Sequence, residues 1–294
     1  MHGDEIRVST ALAKQLVDRE LPEFAGQPVR PLAATGTDNW MFRLGSDRIL
    51  RLPRRPSAVM LLRREWEWLP HLKDLPLRVP KPLALADPSE DYPCPWMVLD
   101  WLPGDTMAAR PPEDTETAAL GLGRFVRALA DLPGGTGPIA GSANHNRGVP
   151  LDVLDATTRR AIGDIARDYP VAELSAIWDD ALAAPRWTGA PGWVHGDLSP
   201  NNLLVQEGRL SGVIDFGLMA RGDPAVDLGP AWALFDGPAR ETFLDVAGHD
   251  PDTARRGRGW ALYGAVINLS YYGDSHPTLS RQARAVVERL LGAA

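Results

Sequence analysis

Residues 193–217 read WVHGDLSPNNLLVQEGRLSGVIDFG, a polar loop followed by two apolar segments. The apolar segments, residues 203–205 and 210–216, have the composition of short β-strands, and the Glu207-Gly208 pair between them is a turn signal. The stretch therefore predicts a β-hairpin that is entered through a loop rich in hydrogen-bond acceptors.

A two-residue turn fixes the strand register, and counting back from it pairs Asn202 roughly with Val213. Asp215 then lies just past the open end of the hairpin, beside Asn202. The loop that carries Asp197 leads into the same end. We therefore expect these three oxygen-bearing side chains to share one small volume.

Converging carboxylates repel each other unless a positive charge lies between them. One carboxylate and one amide oxygen, here from Asp215 and Asn202, suit Mg²⁺, because this ion takes few protein ligands and leaves its other positions to water and phosphate. Asp197 is then free to accept a proton from a hydroxyl group. The stretch thus predicts a magnesium site beside a catalytic base.

The same residues match the protein-kinase catalytic loop, which is His-x-Asp-x-x-x-x-Asn followed by Asp-Phe-Gly. Gly196 stands where protein kinases have Arg, and residues 222–228 read GDPAVDL just downstream. With these features the chain resembles the aminoglycoside phosphotransferase family, which comprises antibiotic and small-metabolite kinases with a protein-kinase-like fold. The resemblance implies that Asp227 supports the active-site loops.

The overall composition is that of a globular protein, with 294 residues of which 44% are hydrophobic and 23% are charged. No apolar run is long enough for a transmembrane helix, and the acidic N-terminus does not resemble a secretion signal. The single cysteine, Cys94, excludes a disulfide framework and favours a reducing compartment. We therefore expect a cytoplasmic protein with no membrane partner.

Negative charge is concentrated in the second part of the chain. Residues 1–100 hold 14 acidic and 14 basic residues, so the formal net charge of −7 lies entirely in residues 101–294. An acidic surface argues against a nucleic-acid partner, which requires a basic face. It is compatible with a cationic substrate.

Three short strands are predicted near the N-terminus, at residues 29–34, 39–44 and 47–52. The first turn contains Thr35, Gly36 and Thr37, and it lies where kinases fold a strand-turn-strand over the nucleotide phosphates. Hydroxyl and backbone N–H groups in such a turn suit phosphate oxygens, although a plain hairpin turn has the same composition.

Arg51 occupies the position at which the kinase pattern has the lysine that holds the α- and β-phosphates. None of the three lysines of the chain lies on that strand, and an arginine fork also binds phosphate. A helix is predicted at residues 61–72, and Glu65 on it is the candidate partner of Arg51. Glu67 is the other candidate partner, but it faces a different side of the helix. The alternative for Arg51 is that it is a surface arginine on an edge strand.

Residues 96–100 are typical of a buried strand, which residues 101–104 end. By resemblance this is the hinge between the two lobes of a kinase. The backbone carbonyl of Asp100 and the N–H of Leu102 would then bind the adenine ring of the nucleotide.

The last part of the chain is helical and rich in aromatic residues. In the family this region forms the wall of the acceptor site, where aromatic faces and carboxylates suit an aminosugar ring. The candidates are Trp232, Asp236, Trp260 and Tyr271. Packing in the core is the favoured alternative for each aromatic residue taken singly.

Together these features predict an α+β, two-lobed protein-kinase-like fold. Residues 1–100 would form a small N-lobe, with an antiparallel five-stranded sheet and one key helix. Residues 101–294 would form a larger, mostly helical C-lobe. A protein kinase itself is disfavoured, because an Ala-Pro-Glu motif is absent and little chain is left for an activation segment.

The resemblance implies a Mg²⁺-dependent kinase that transfers the γ-phosphate of ATP or GTP to a hydroxyl of an antibiotic, either an aminoglycoside or a macrolide. The small-molecule acceptor would be the principal partner of a monomer or weak dimer. A housekeeping kinase for a choline-, homoserine- or sugar-like metabolite is the alternative. A non-catalytic nucleotide-binding module is less favoured, because Asp197, Asn202 and Asp215 are all present.

Overall fold

A computed structural model describes residues 5–32, 38–133, 135–273 and 275–292. The fold is α+β, as predicted, with a small antiparallel sheet followed by a mostly helical part. Five strands form the sheet in the order β1-β2-β3-β5-β4, namely β1 (Val29–Pro31), β2 (Asn39–Leu44), β3 (Arg48–Pro53), β4 (Pro82–Ala86) and β5 (Trp96–Asp100).

Helix α1 (Thr10–Glu20) covers one face of this sheet. Its N-terminus is capped by Ser9, whose side chain accepts a hydrogen bond of 3.1 Å from the backbone N–H of Leu12. The helix packs into a buried apolar cluster with Leu50 and Val98 from the strands. Because side chains alternate across a strand, Arg51 must point to the opposite face of the sheet from Leu50.

Helix α2 (Val59–Trp68) lies on that opposite face and connects the sheet to the catalytic hairpin. Arg64 of this helix donates a hydrogen bond of 3.3 Å to the carbonyl of Gly217. The helix was expected to extend to residue 72, but it continues beyond Trp68 only as a 3₁₀ turn, in which Pro70 lacks the N–H that an α-helix needs.

The helical part holds the larger hydrophobic core. Its helices are α3 (Thr115–Ala130), α4 (Asp155–Asp164), α5 (Val171–Ala183), α6 (Pro230–Ala233), α7 (Gly237–Ala247), α8 (Pro251–Tyr272) and α9 (Pro277–Gly292). Short strands complete it, namely β6 (Asp105–Thr106), β7 (Gly192–Val194), β8 (Leu203–Gln206), β9 (Arg209–Val213) and β10 (Ala220–Gly222). Within the described ranges, no helix is long and apolar enough to cross a membrane.

Strands β8 and β9 form the predicted hairpin, with a register that corrects the sequence-based count by one residue. Leu203, rather than Asn202, pairs with Val213, because β9 contains one extra residue opposite the middle of β8. Asn202 still lies at the open end, since its carbonyl accepts a hydrogen bond of 2.9 Å from the N–H of Ile214. The bulge therefore leaves Asn202 and Asp215 at the same end.

Candidate active site

Asp197 and Asn202 are joined directly at the open end of the hairpin. The Asn202 side chain amide donates to the Asp197 carboxylate Oδ2 at 2.9 Å and to the Asp197 carbonyl at 2.9 Å. These two bonds close the loop between the two residues and fix the direction of the carboxylate. Asn202 itself is 8% exposed, so the amide is held in a nearly closed environment.

The side chain of His195 holds this loop through hydrogen bonds to the backbone on both sides of its ring. Its Nδ1 accepts a hydrogen bond of 3.1 Å from the Asp197 N–H, and its Nε2 lies 3.1 Å from the carbonyl of Ile214. These contacts together require a neutral imidazole with the proton on Nε2. The ring is fully buried and meets the ring of Phe216 edge-on at a centroid distance of 4.6 Å. His195 thereby links the catalytic loop to the Asp-Phe-Gly segment.

Asp227 holds the same loop from the other side. Its carboxylate accepts hydrogen bonds from the backbone N–H groups of His195 at 2.6 Å and of Gly196 at 2.8 Å. Burial raises the pKa of this carboxyl above its ordinary value, although the two N–H groups act in the opposite direction. The geometry is that of a support for the loop, the role that the resemblance implies for Asp227.

Gly196 is required by the local backbone. Its φ angle is +81°, which is in the left-handed region, and a Cβ at this position would lie 2.9 Å from the Cβ of Arg147 and 3.1 Å from the carbonyl of Leu218. This crowding explains why the second position of the motif is glycine here. The side chain that fills the space comes from Arg147, which the sequence analysis did not identify.

Arg51 binds two carboxylates at once. Its Nη1 lies 2.7 Å from Oε1 of Glu65, and its Nη2 lies 2.7 Å from Oδ1 of Asp215. Glu65 Oε1 also accepts the N–H of Phe216 at 2.8 Å. Glu65 is thus the partner of Arg51, and the rival Glu67 is exposed on the outer side of α2.

The two carboxyl groups that contact Arg51 have pKa values shifted in opposite directions. Burial raises the pKa of the Glu65 carboxyl above its ordinary value, and Arg51 acts against that effect. Partial desolvation acts to raise the pKa of Asp215, but the Arg51 guanidinium outweighs it and holds this pKa below its ordinary value. Asp215 has a φ angle of +69°, an uncommon left-handed conformation for a non-glycine residue.

The donor atoms of Asn202 and Asp215 suit a magnesium ion. In the described part of the chain, Asn202 Oδ1 accepts no hydrogen bond, and the side chain of Asp215 is 45% exposed to the cleft. No group of three or more His, Cys, Asp or Glu residues with the geometry of a metal site occurs among the described residues. An ion held here would therefore complete its shell with phosphate and water oxygens.

The expected nucleotide contacts are only partly described. Thr35, Gly36 and Thr37 lie outside the described residues. At the end of β5, Asp100 is anchored by its N–H, which donates to the carbonyl of Lys81 at 3.0 Å. Among described residues, the N–H of Leu102 has no hydrogen-bond acceptor, so this group is available to a ligand.

The four expected acceptor residues do not form one surface. Trp232 and Trp260 are only 7% and 3% exposed and belong to the hydrophobic core, which argues against an acceptor role for these rings. Asp236 accepts hydrogen bonds from two arginines of α7 and α9, and its charge is already compensated. Tyr271 is 65% exposed near the end of α8.

Residues 29–261 match the model of the phosphotransferase enzyme family, APH. The chain therefore belongs to this family. The expectation of a nucleotide-dependent O-phosphotransferase enzyme is confirmed at the level of this family. Among curated protein sequences, none matches the chain significantly.

Solved structures of similar fold include the GDP and kanamycin complex of APH(2'')-IIIa, which is 20% identical with a TM-score of 0.73 and covers 94% of this chain and 97% of that one. The streptomycin-ATP-APH(2'')-IIa ternary complex is 17% identical, with a TM-score of 0.59 and coverages of 96% and 97%. The apoenzyme of macrolide 2'-phosphotransferase MphH from Brachybacterium faecium is 22% identical, with a TM-score of 0.59 and coverages of 94% and 97%. These likenesses confirm the kinase-like fold.

Proposed function

We propose that this enzyme transfers the γ-phosphoryl group of ATP or GTP to a hydroxyl group of a small molecule, in a Mg²⁺-dependent reaction. The observation that carries the proposal is the meeting of Asp197, Asn202 and Asp215 at one end of the hairpin, beside the paired Arg51 and Glu65. Structural neighbours bound to GDP, ADP or ATP support a nucleotide as the donor.

The acceptor in this proposal is an antibiotic hydroxyl. Neighbouring structures in complex with kanamycin, gentamicin or streptomycin, together with the macrolide phosphotransferases, favour this class. A choline-, homoserine- or sugar-like metabolite is the second candidate.

Asp197 acts as the base in this reaction. Asn202 engages its Oδ2, while Oδ1 has no hydrogen bond to any described residue and can face the acceptor hydroxyl. As the hydroxyl oxygen bonds to the γ-phosphorus, its proton passes to the Asp197 carboxylate. The bond between the γ-phosphorus and the β–γ bridging oxygen breaks, and ADP or GDP leaves with that electron pair.

Asn202 and Asp215 would hold the metal ion, through the amide Oδ1 and the exposed carboxylate described above. A bound Mg²⁺ supplies positive charge that offsets the charge on the transferred phosphoryl group. Arg51 would anchor the phosphates, and Glu65 holds Arg51 in position with a bond of 2.7 Å.

The proposal assigns the nucleotide to residues 1–100 and the catalytic loop and acceptor to residues 101–294. The sheet ends with β5 at Asp100, which supports a division near this point. We expect a monomer or weak dimer, which light scattering measures directly.

A coupled ADP- and GDP-release assay tests the function. Mg²⁺, each nucleotide and a panel of aminoglycosides, macrolides and small amino alcohols are supplied, with Asp197→Ala as the control. We expect turnover with one acceptor class and a rate lower by a factor of roughly 10²–10⁴ in the variant, while nucleotide binding by thermal shift is retained. An unchanged rate in the variant contradicts the assignment of the base. Absence of both turnover and nucleotide binding would support the non-catalytic module.

A further inference from the structure

Arg147 packs against Gly196 of the catalytic loop, the residue that directly precedes the proposed base Asp197. Its Cβ occupies the space in front of Gly196, only 2.9 Å from the point where a Cβ on that glycine would lie. The backbone around it is fixed by Asn144, whose side chain donates to the carbonyls of Arg147 at 2.8 Å and Leu218 at 3.1 Å. Arg147 therefore has a defined position relative to Asp197.

The guanidinium of Arg147 points towards helix α8. Its central carbon lies 5.7 Å from the centre of the Tyr263 ring, which is partly exposed. Further along the same loop, the side chain of Asn201 donates a hydrogen bond of 3.0 Å to the side chain of Gln282 on α9. Arg147, α8 and α9 thus flank the catalytic loop from the helical part, whereas Arg51 and Glu65 approach from the sheet. An acceptor that approached Asp197 from the helical part would therefore pass close to Arg147.

Among the described residues, no acidic side chain pairs with the charge of Arg147, whose contact is with the Tyr263 ring. Its side chain makes no ion pair or hydrogen bond to any of them, and its Nε is buried without an acceptor. Two buried arginines, by contrast, are ion-paired, Arg51 with Glu65 and Arg256 with Asp223. A partly buried guanidinium with unused donors is stabilised by an oxygen acceptor, and most strongly by a carboxylate.

The acidic residues of the helical part do not compensate this charge. Asp236 is shared by Arg240 and Arg289, with N–O distances of 3.2 and 3.0 Å, and Asp223 is taken by Arg256 at 2.7 Å. Neither of these two carboxylates is free to pair with Arg147. A cationic group placed next to Arg147 would meet repulsion between like charges.

We propose that Arg147 is a specificity-determining residue of the acceptor site, and that it selects a hydroxylated acceptor with a carboxylate or other oxygen acceptor near the reacting hydroxyl over a polycationic one. This inference rests on the proposed function and narrows its acceptor class. Within the antibiotic panel it ranks a macrolide, with its carbonyl groups and single amine, ahead of an aminoglycoside.

Three pyranosides that share a ring and differ in charge test the selection by binding, independently of turnover. The probes are glucuronate, methyl glucoside and glucosamine, measured by saturation-transfer NMR with the wild-type protein, Arg147→Gln and Arg147→Lys. Arg124→Gln is the matched control, because Arg124 is exposed on α3 and has no ion pair to a described residue. We expect glucuronate to bind at least tenfold more tightly than glucosamine in the wild type, Arg147→Lys and Arg124→Gln.

In Arg147→Gln we expect this preference to fall to within about twofold. Preference for glucosamine in the wild type, an unchanged preference in Arg147→Gln, or no binding of any probe overturns the inference. The release assay separates this result from the proposed function. Asp197-dependent turnover confined to polycationic acceptors would uphold the function and reject the selection. The expected order of binding without any Asp197-dependent turnover would uphold the selection and reject the function.

Discussion

The guanidinium of Arg51 lies 2.7 Å from the carboxylate of Asp215, although 164 residues separate them along the chain. Its second terminal nitrogen lies 2.7 Å from Glu65, so one side chain connects the sheet, helix α2 and the Asp-Phe-Gly segment. A lysine ammonium is a single point charge, whereas the arginine fork reaches two carboxylates with separate nitrogens. This double contact is the structural consequence of having arginine at a position where the kinase pattern has lysine.

Replacing Arg51 by alanine should affect both stability and catalysis. The variant leaves the fully buried Glu65 without its cation, which costs about 3–5 kcal/mol of unfolding free energy. We also expect kcat/KM for the nucleotide to fall at least about a hundredfold, as for loss of a charged donor to a phosphoryl group. Urea unfolding and steady-state kinetics measure the two effects. Arg51→Lys should recover part of both losses, and wild-type kinetics in Arg51→Ala would contradict a phosphate role.

Asp215→Asn tests the metal assignment. The amide keeps the size of the side chain but removes the charge that binds both Arg51 and a cation. We expect nucleotide affinity to become independent of Mg²⁺, with a loss of at least about tenfold in the presence of the ion, which corresponds to roughly 1.4 kcal/mol. Calorimetric titration of nucleotide with and without Mg²⁺ measures this difference. Retention of the full Mg²⁺ effect in the variant would remove Asp215 from the metal site.

The sequence was sufficient to place the chemical groups that lie close together along the chain. The hairpin motif located Asp197, Asn202 and Asp215, because a short connection leaves few ways to arrange them. In that hairpin the spacing nearly determines the geometry. Arg51 and Glu65 were located instead by the pairing that the kinase pattern implies.

The parts that escaped the sequence analysis depend on distant contacts. The extra residue in β9 has no composition signal, so the register was wrong by one residue. Trp232 and Trp260, which were named as acceptor candidates, are buried by helix packing, in agreement with the core alternative that was favoured for each ring. Arg147 belongs to no sequence motif, and its place beside Gly196 depends on a contact between residues that are distant along the chain.

The buried carboxyl of Asp227 predicts a pH dependence of stability. Burial raises its pKa in the folded protein above the unfolded value, so the folded state binds more protons than the unfolded state between those two values. The free energy of unfolding should therefore fall as the pH rises through this interval. The contribution of Asp227 is complete below the unfolded pKa and is lost above the folded one.

Asp227→Asn supplies the comparison, because its amide does not titrate. We expect the stability advantage of the wild type over the variant to decrease as the pH rises above about 4, the ordinary pKa of an aspartate. Urea unfolding at several pH values measures it. At neutral pH the variant should also lose about 1–3 kcal/mol of unfolding free energy. Asparagine has only one side-chain oxygen, so its NH₂ group would face one of the N–H groups of His195 and Gly196, and two donors cannot bond to each other. A difference that does not depend on pH would contradict the raised pKa.

The ion pair of Asp223 and Arg256 should contribute to the free energy of unfolding only while both side chains are charged. Both side chains are 5% exposed, and Arg256 Nε lies 2.7 Å from Asp223 Oδ2. Removing one partner leaves a buried charge, so Asp223→Asn and Arg256→Met should each cost about 3–5 kcal/mol. The double variant should cost clearly less than the sum, which urea unfolding of all four proteins measures. Additive losses would show that the pairing contributes nothing.

Gly196→Ala separates backbone strain from steric crowding at the catalytic loop. Both Gly196 and Gly26 have left-handed φ angles, +81° and +77°, but a Cβ on Gly26 would have no atom within 4 Å. Gly26→Ala should therefore show strain alone, about 1–2 kcal/mol. Gly196→Ala adds contacts of 2.9 Å with Arg147 and 3.1 Å with Leu218, so it should cost at least about 1 kcal/mol more in urea unfolding. It should also slow turnover, because Gly196 precedes the base Asp197 and the carbonyl of Leu218 is held by Asn144 at 3.1 Å, so the catalytic loop itself has to move. Equal losses in the two variants would mean that Arg147 moves away freely, and its fixed position beside the base would then be wrong.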